Sequence, residues 1–383
     1  MRCMHFSLLL LTFTILAAAT QSSAADSAQI KELLATAGIQ PEGDRRGQMD
    51  VIGFVTNAKQ MDHVLAQCDE LAAPCHSALD DEHGWNGNTS FIAGVCPHDD
   101  YYYAGRLYSL LLSRIHAKRV ILFGVFHKAR LFDIHNRLVF DSYREWHGPY
   151  GPVAVSSLRE DIIARLPQDT YIIDNDMHMV EHSLEAIVPF LQAYNRDVEI
   201  VSILVPYMQW ETMARLAADL SNALAAIITD NNWKLGEDVS IISSADAIHY
   251  GDAGWGGSDF AEYGSDIAGY EMAVARDTEL ARLHLCGTVA ADKLKAFLYK
   301  CVDKDDVTQY HITWCGRFSI PLGLNVANRL TQTIEGRALT GTLLDYGTSV
   351  SEASLSVDGL DGLGTTAPNN LHHFVGYASI GYR

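Results

Sequence analysis

The sequence predicts an α/β protein, a three-layer α/β/α sandwich around a central, mostly parallel sheet. Three observations carry that prediction. Short apolar runs recur at 91–95, 120–125, 198–205 and 239–242, with the length and composition of strands buried on both faces. Stretches with helical spacing separate them, as crossovers between parallel strands require. Three of the four runs end one or a few residues before a histidine, and open α/β sheets place ligands beyond the carboxyl ends of their strands.

Residues 1–25 read as an export signal: Arg2 gives a positive start, 6–19 is apolar, and Ser22 to Ala25 are small. The apolar part is shorter than the ~20 residues a membrane span needs. A secreted protein is expected, periplasmic in a bacterium and extracellular or lumenal in a eukaryote, with no membrane span in the mature chain. Residues 26–90 form an N-terminal extension. It holds a short helix over 26–38, a strand at 51–56, a helix around 61–71 and a polar loop over 74–90. Asn88-Thr89-Ser90 in that loop is a glycosylation sequon, meaningful only in a eukaryotic secretory pathway.

Residues 91–383 form the main domain. A helix over 105–116 joins the first two strands. Shorter strands at 138–143 and 153–155 flank a Gly/Pro turn, followed by a helix at 158–166 and a strand at 171–174. A helix over 182–194 leads to the 198–205 strand, and a long helix over 211–229 leads to the 239–242 strand. The Gly-rich segment 251–264 has the composition of a mobile active-site loop. Helices over 266–285 and 290–301 and strands at 339–346 and 374–380 complete the chain.

The formal charge is −19, and loss of Arg2 with the signal moves it one unit further, to −20. Such a surface disfavours nucleic acid and anionic lipid, whose binding relies on Lys and Arg. Six cysteines follow the signal. In an oxidising compartment Cys68 with Cys75 would close a small loop, and Cys286 with Cys301 would pin two helices. Cys96 and Cys315 remain, beside the segments that carry chemistry.

Four segments do so. His98 follows Pro97, which ends its strand sharply, and precedes Asp99 and Asp100. His127 follows a strand through Gly124, where a missing side chain admits a close neighbour. His249 has Asp246 three residues before it, a carboxylate able to fix an imidazole tautomer for acid/base work. Cys315 precedes Gly316-Arg317, and Arg317 is expected to lower the thiol pKa. A fifth segment, Glu181 to Glu185, opens the 182–194 helix with His182 and Glu185 on one face. Each has a plainer reading: a surface or core histidine, a capping aspartate, a buried free thiol, an exposed first turn. Three histidines released at one sheet edge, with a thiol, favour a metal site. Tyr101-Tyr102-Tyr103 would line an aromatic pocket or supply one buried and two partly exposed tyrosines. No G-x-S-x-G, phosphate-binding loop or C-x-x-C is present.

In order and context these segments resemble the Memo family (the Memo component of the AmmeMemoRadiSam type), which shares its fold with class III extradiol ring-cleaving dioxygenases. Pro97 to Gly105 is similar to P-H-A-G-Y-x-Y-x-G, and Gly124 to Lys128 to G-P-S-H-H. Glu181 to Glu185 with Pro189-Phe190 is similar to E/D-H-S-I-E…L-P-F. Ser243 to Gly251 resembles S-S-D-F-x-H-W-G, Cys315 to Arg317 resembles C-G-R, and Val375 to Ala378 matches the last strand. The similarity runs from about 91 to 381. It implies that His98, His127 and Cys315 bind one iron or copper ion, with His249, Asp246 and His182 beside it as acid/base or substrate contacts. The sequence departs where Asp99-Asp100 replace A-G, adding charge at the metal's rim, and where Lys128 replaces the second histidine. Cys315 in place of a facial-triad carboxylate softens the site.

The leading expectation is therefore a secreted metalloprotein with dioxygenase-like redox chemistry on a small oxidisable substrate. A second is a non-catalytic pocket for a peptide or anionic ligand, using Lys128, Arg317 and the tyrosines. A zinc-dependent hydrolase is the third.

Overall fold

The computed structural model describes residues 43–251, 260–351 and 354–383. The predicted signal and the 26–38 helix lie outside the described residues, as does 252–259 of the Gly-rich segment. The described chain begins with β1 (Arg45–Arg46), α1 (Ala58–His83), β2 (Ala93–Cys96), α2 (Tyr101–Leu112) and β3 (Arg119–Val125). Small elements follow: β4 (Leu138–Phe140), β5 (Glu145–Trp146), β6 (Val153–Val155), α3 (Leu158–Ile163), β7 (Tyr171–Ile173) and α4 (Asn175–Met179). Then come α5 (Ile187–Tyr194), β8 (Glu199–Val205), α6 (Trp210–Asp230), β9 (Val239–Ser244) and β10 (His249–Gly251). The last part is α7 (Ile267–Leu285), β11 (Gly287–Thr288), α8 (Ala291–Cys301), a 3₁₀ turn at Cys315–Arg317, α9 (Ser319–Glu335), β12 (Thr340–Thr348), β13 (Asn369–Asn370) and β14 (His373–Tyr382).

The strands join in one sheet along the path β1-β5-β6-β8-β3-β9-β2-β14-β12-β11. From β6 to β2 every pairing is parallel, and beyond β2 the order turns antiparallel. Alternate residues of β3 show why both faces are covered. Ile121 and Phe123 belong to one buried cluster with Leu220 of α6 and Leu324 of α9, while Val120 and Leu122 belong to another with Val64 of α1 and Leu107 of α2. A strand apolar at every position buries both faces at ~25 cal/mol per Å² of apolar area. The predicted three-layer sandwich is what forms. No helix among the described residues is long and apolar enough to cross a membrane.

The N-terminal extension departs from expectation. Residues 51–54 bend instead of forming a strand, and α1 runs through Pro74 to His83. Its buried face, Met61, Val64, Cys68, Ala72 and Leu79, keeps helical spacing past the proline. Asn57 caps its start by accepting from Gln60 N, and Gly84 at φ 66° ends it. Tertiary burial thus outweighs the one hydrogen bond that proline removes. Cys68 and Cys75 sit on this one helix, about 10 Å apart along its axis, beyond disulfide reach. The six cysteines among the described residues, including Cys286 and Cys301, are free thiols, so neither expected pairing is formed. The helix expected at 105–116 starts and ends earlier, as α2.

Candidate metal centre

Three neighbouring parallel strands, β3, β9 and β2, each end two residues before a polar side chain: His127, Asp246 and His98. Cys96 stands opposite Ser244 in the ladder, so the chains leave the sheet with His98 beside Asp246. His98 is buried and held at every polar atom. Its backbone N donates to Asp246 Oδ1 at 2.9 Å, Nδ1 lies 2.7 Å from Ser244 Oγ, and Nε2 lies 3.2 Å from Asp246 Oδ2. Ser244 Oγ gives its one proton to the Ser183 carbonyl at 2.6 Å. It therefore accepts from His98, which puts the ring proton on Nδ1 and the lone pair on Nε2. Burial, followed by the charges of His127 and His182, holds His98 well below the usual histidine range. Asp246 was expected to serve His249. Its side chain serves His98 instead, because strand register brings His98 closer than sequence proximity brings His249. Burial, then Asp99, pushes the Asp246 carboxyl well up, so as an acid it can donate to Nε2.

His127 is oriented by Glu181, whose Oε2 accepts from its backbone N at 2.7 Å and whose Oε1 lies 2.9 Å from Nδ1. Glu181 also accepts from Ser183 N. Burial works to raise Glu181, but the His127 charge and hydrogen bond prevail and hold it below the usual carboxylate range. An ionised carboxylate on Nδ1 leaves His127 Nε2 free. The His182 ring stacks on His127 at 4.9 Å, tilted by only 6°, and both meet His98 edge-on at 5.2 and 5.7 Å. Burial pulls His182 down to about 4.

The helix expected from His182 starts only at Ile187; the residues before it form turns. His182 and Glu185 consequently share no helical face. His182 goes to the imidazole cluster, whereas Glu185 accepts from Arg46, Met49 N and Asp50 N. Neither Glu181 nor Glu185 is exposed, as a plain helical first turn would have them. Gly124 makes room for this turn: a Cβ there would stand 2.8 Å from Leu184 Cγ and 3.0 Å from Ser183 Oγ.

Cys315 and His249 form the other wall, with Sγ 2.7 Å from Nε2. Thr313 Oγ1 accepts from His249 N at 3.1 Å and donates to His249 O at 2.7 Å. Burial, then His127 and Arg317, pulls His249 down to about 3. Arg317 lowers the Cys315 thiol as expected, yet burial and Asp246 outweigh it and the net shift is upward. Asp277 of α7, absent from the sequence reading, ties both segments together. It accepts from Trp314 Nε1, from Ile248 N at 3.1 Å and from Tyr346 OH at 2.7 Å. Trp314 and Ile248 precede Cys315 and His249, so this buried carboxylate sets the spacing of the pair. Burial raises it to about 6.

Gly316 packs its turn on β9's exit, where a Cβ would stand 2.1 Å from Ala245 Cβ. Gly316→Ala is expected to push the Cys315 turn outwards at about 1–3 kcal/mol. Faster alkylation of the Cys315 thiol in the folded variant is the measurement.

Among the described residues two sets of ligand atoms each lie within 4.8 Å of one another, and both contain His98: His98, His127 and His182; and His98, Asp246 and Cys315. The trio implied by the resemblance draws on both sets. Other expectations fall away from the site. Asp100 does not carry charge to the rim: it is buried, accepting from Thr366 N, Thr366 Oγ1 and Ala367 N. Asp99, by contrast, does line the cavity beside His98; it accepts from Tyr377 OH at 2.8 Å, and burial with Asp100 raises it to about 7. Cys96 belongs to the core. Tyr101 and Tyr103 are buried, Tyr102 partly so, and none of the three lines the cavity; Lys128 is exposed. That cavity, about 690 Å³, is lined by His98, His127, His182, Asp246, His249 and Cys315 among others.

Comparison with known proteins places the chain in a family. The family model described as Memo-like protein matches residues 65–359. A MEMO1 family protein of Pyrococcus furiosus is 27% identical over 314 residues, covering 78% of this chain and 88% of that protein. One from Aquifex aeolicus is 29% identical over 158 residues, covering 41% of this chain and 53% of its own length. One from Archaeoglobus fulgidus is 31% identical over 165 residues, 42% of this chain and 56% of its own. With an ordered match over most of its length, this chain belongs to the Memo-like family.

Proposed function

We propose that the protein is a metal-dependent oxidoreductase with one iron or copper ion held by His98, His127 and Cys315. The observation that supports this most is His98 itself, which belongs to both ligand sets and whose Nδ1 is engaged by Ser244, leaving the lone pair on Nε2. The donors suit such an ion: two imidazoles whose Nδ1 atoms are engaged behind them and a thiol, which favours soft, redox-active metals. Bound there, the ion would supply electron transfer and dioxygen chemistry on a small oxidisable substrate.

The protein's own part is to orient and exclude. Ser244 and Glu181 hold the two imidazoles, Asp277 sets the Cys315 segment, and His249 Nε2 stands where it can take the Cys315 proton as the thiol becomes a ligand. The deep burial of His98 keeps water from its ring. The reading of 1–25 as an export signal adds a secreted location to the proposal; N-terminal sequencing of protein recovered outside the cytoplasm should begin near residue 26.

Glu181→Gln tests the site from behind the ligands. The amide holds His127 less firmly, and metal affinity is expected to fall about 10- to 100-fold. Competition with a chelator reads the change. Unaltered affinity would mean that His127 is not a ligand.

A further inference from the structure

One wall of the cavity is cationic in a chain with 47 acidic and 28 basic residues. Arg130 and Arg317 both line it, three residues after His127 and two after Cys315. Both guanidiniums pack on one ring: the Cζ of Arg317 lies 3.7 Å, and that of Arg130 5.2 Å, from the centroid of Tyr310. Backbone carbonyls steady them, Arg317 Nη1 donating to Trp314 O at 2.6 Å and Arg130 Nη2 to Thr308 O at 2.6 Å. Among the described residues neither pairs with a carboxylate, and Arg317 Nε is a buried donor without a hydrogen-bond partner. An unmade hydrogen bond on a buried donor is a standing cost to the fold, which a ligand oxygen would recover. A guanidinium held flat by a ring and a carbonyl is also ordered before any ligand arrives. Phe126, Tyr207 and Phe318 line the same cavity, offering faces for a flat apolar body.

We propose that the cavity takes a small aromatic carboxylate, its carboxylate on Arg317 and Arg130 and its ring among Tyr310, Tyr207, Phe126 and Phe318. The cavity, about 690 Å³, falls within the ~300–1,000 Å³ usual for small organic ligands. Carboxylate and guanidinium match as planar, charge-assisted partners. The assignment rests on the oxidoreductase reading only for what then happens to the ligand; binding by the arginines needs no metal.

The full chain, both chelator-treated and reconstituted with iron or copper, is titrated with benzoate, with its neutral analogue benzamide and with inorganic phosphate. Calorimetry or ligand-observed NMR reads the affinity. Benzoate is expected to bind the metal-free protein, and benzamide to bind about tenfold more weakly or worse. R317Q and R130Q should each weaken benzoate about tenfold and leave benzamide unchanged. Arg130 is exposed, so R130Q keeps the test valid if R317Q fails to fold. Equal affinity for benzoate and benzamide, no benzoate binding, or indifference to both substitutions would overturn the proposal. Phosphate binding as tightly as benzoate would overturn its aromatic half. Arginine-dependent benzoate binding by a protein that takes up no metal would sustain this site while removing the redox reading.

Discussion

His98→Ala is expected to abolish metal retention, with affinity lower by on the order of a hundred- to a thousand-fold, since each ligand carries a share of a ~10–16 kcal/mol binding energy. No other residue belongs to both ligand sets. His182→Ala provides the contrast. It leaves His98, Asp246 and Cys315 in place and also His127, so most of the affinity should remain. Elemental analysis after dialysis, with circular dichroism to verify the fold, distinguishes the two variants. Equal loss in both would point to the three-imidazole set as the real centre.

The second large effect concerns stability. Arg46 is almost wholly buried and ion-paired to Glu185 at 2.5 Å. It also donates to the carbonyls of His178 and Glu181 and packs on the Trp146 ring at 4.2 Å. Arg46→Ala leaves Glu185 buried without its counter-charge and frees those carbonyls, a loss of about 3–5 kcal/mol. Burial already pushes the Glu185 carboxyl up against the pull of Arg46, so the unpaired carboxyl should take up a proton. Glu185→Gln should cost less, because its amide oxygen still accepts from Met49 N or Asp50 N. Denaturant midpoints compare the two. Since Arg46 holds the carbonyl of Glu181, Arg46→Ala should also weaken metal binding.

The site's floor is legible in the sequence because it obeys local rules. Apolar runs mark β2, β3 and β9, and their ends mark where His98 and His127 gather; Cys315 joins them in the sequence reading through the family resemblance. What the sequence conceals is which distant residue answers which. Asp246 lies three residues from His249 yet serves His98, 148 positions away, because parallel register decides adjacency. Arg46 sits in a two-residue strand with no periodicity to flag it. Asp277 is a mid-helix aspartate, indistinguishable in sequence from a solvated one until α7 packs against Trp314 and Tyr346. Pro74 misleads in the other direction: it reads as a helix end, but the buried face of α1 continues beyond it. The aromatic wall comes from Tyr207, just past the end of β8, and from Tyr310, ahead of Cys315 in the chain, where no spacing rule operates.

The most direct test of the central claim combines elemental analysis with X-ray absorption on protein purified without added metal. One iron or copper ion per chain, with a sulfur scatterer at about 2.3 Å that disappears in Cys315→Ser, is the predicted result. A stoichiometric ion surrounded only by nitrogen and oxygen would contradict the assignment of Cys315. Zinc alone, or no metal even after reconstitution, would contradict the redox centre itself.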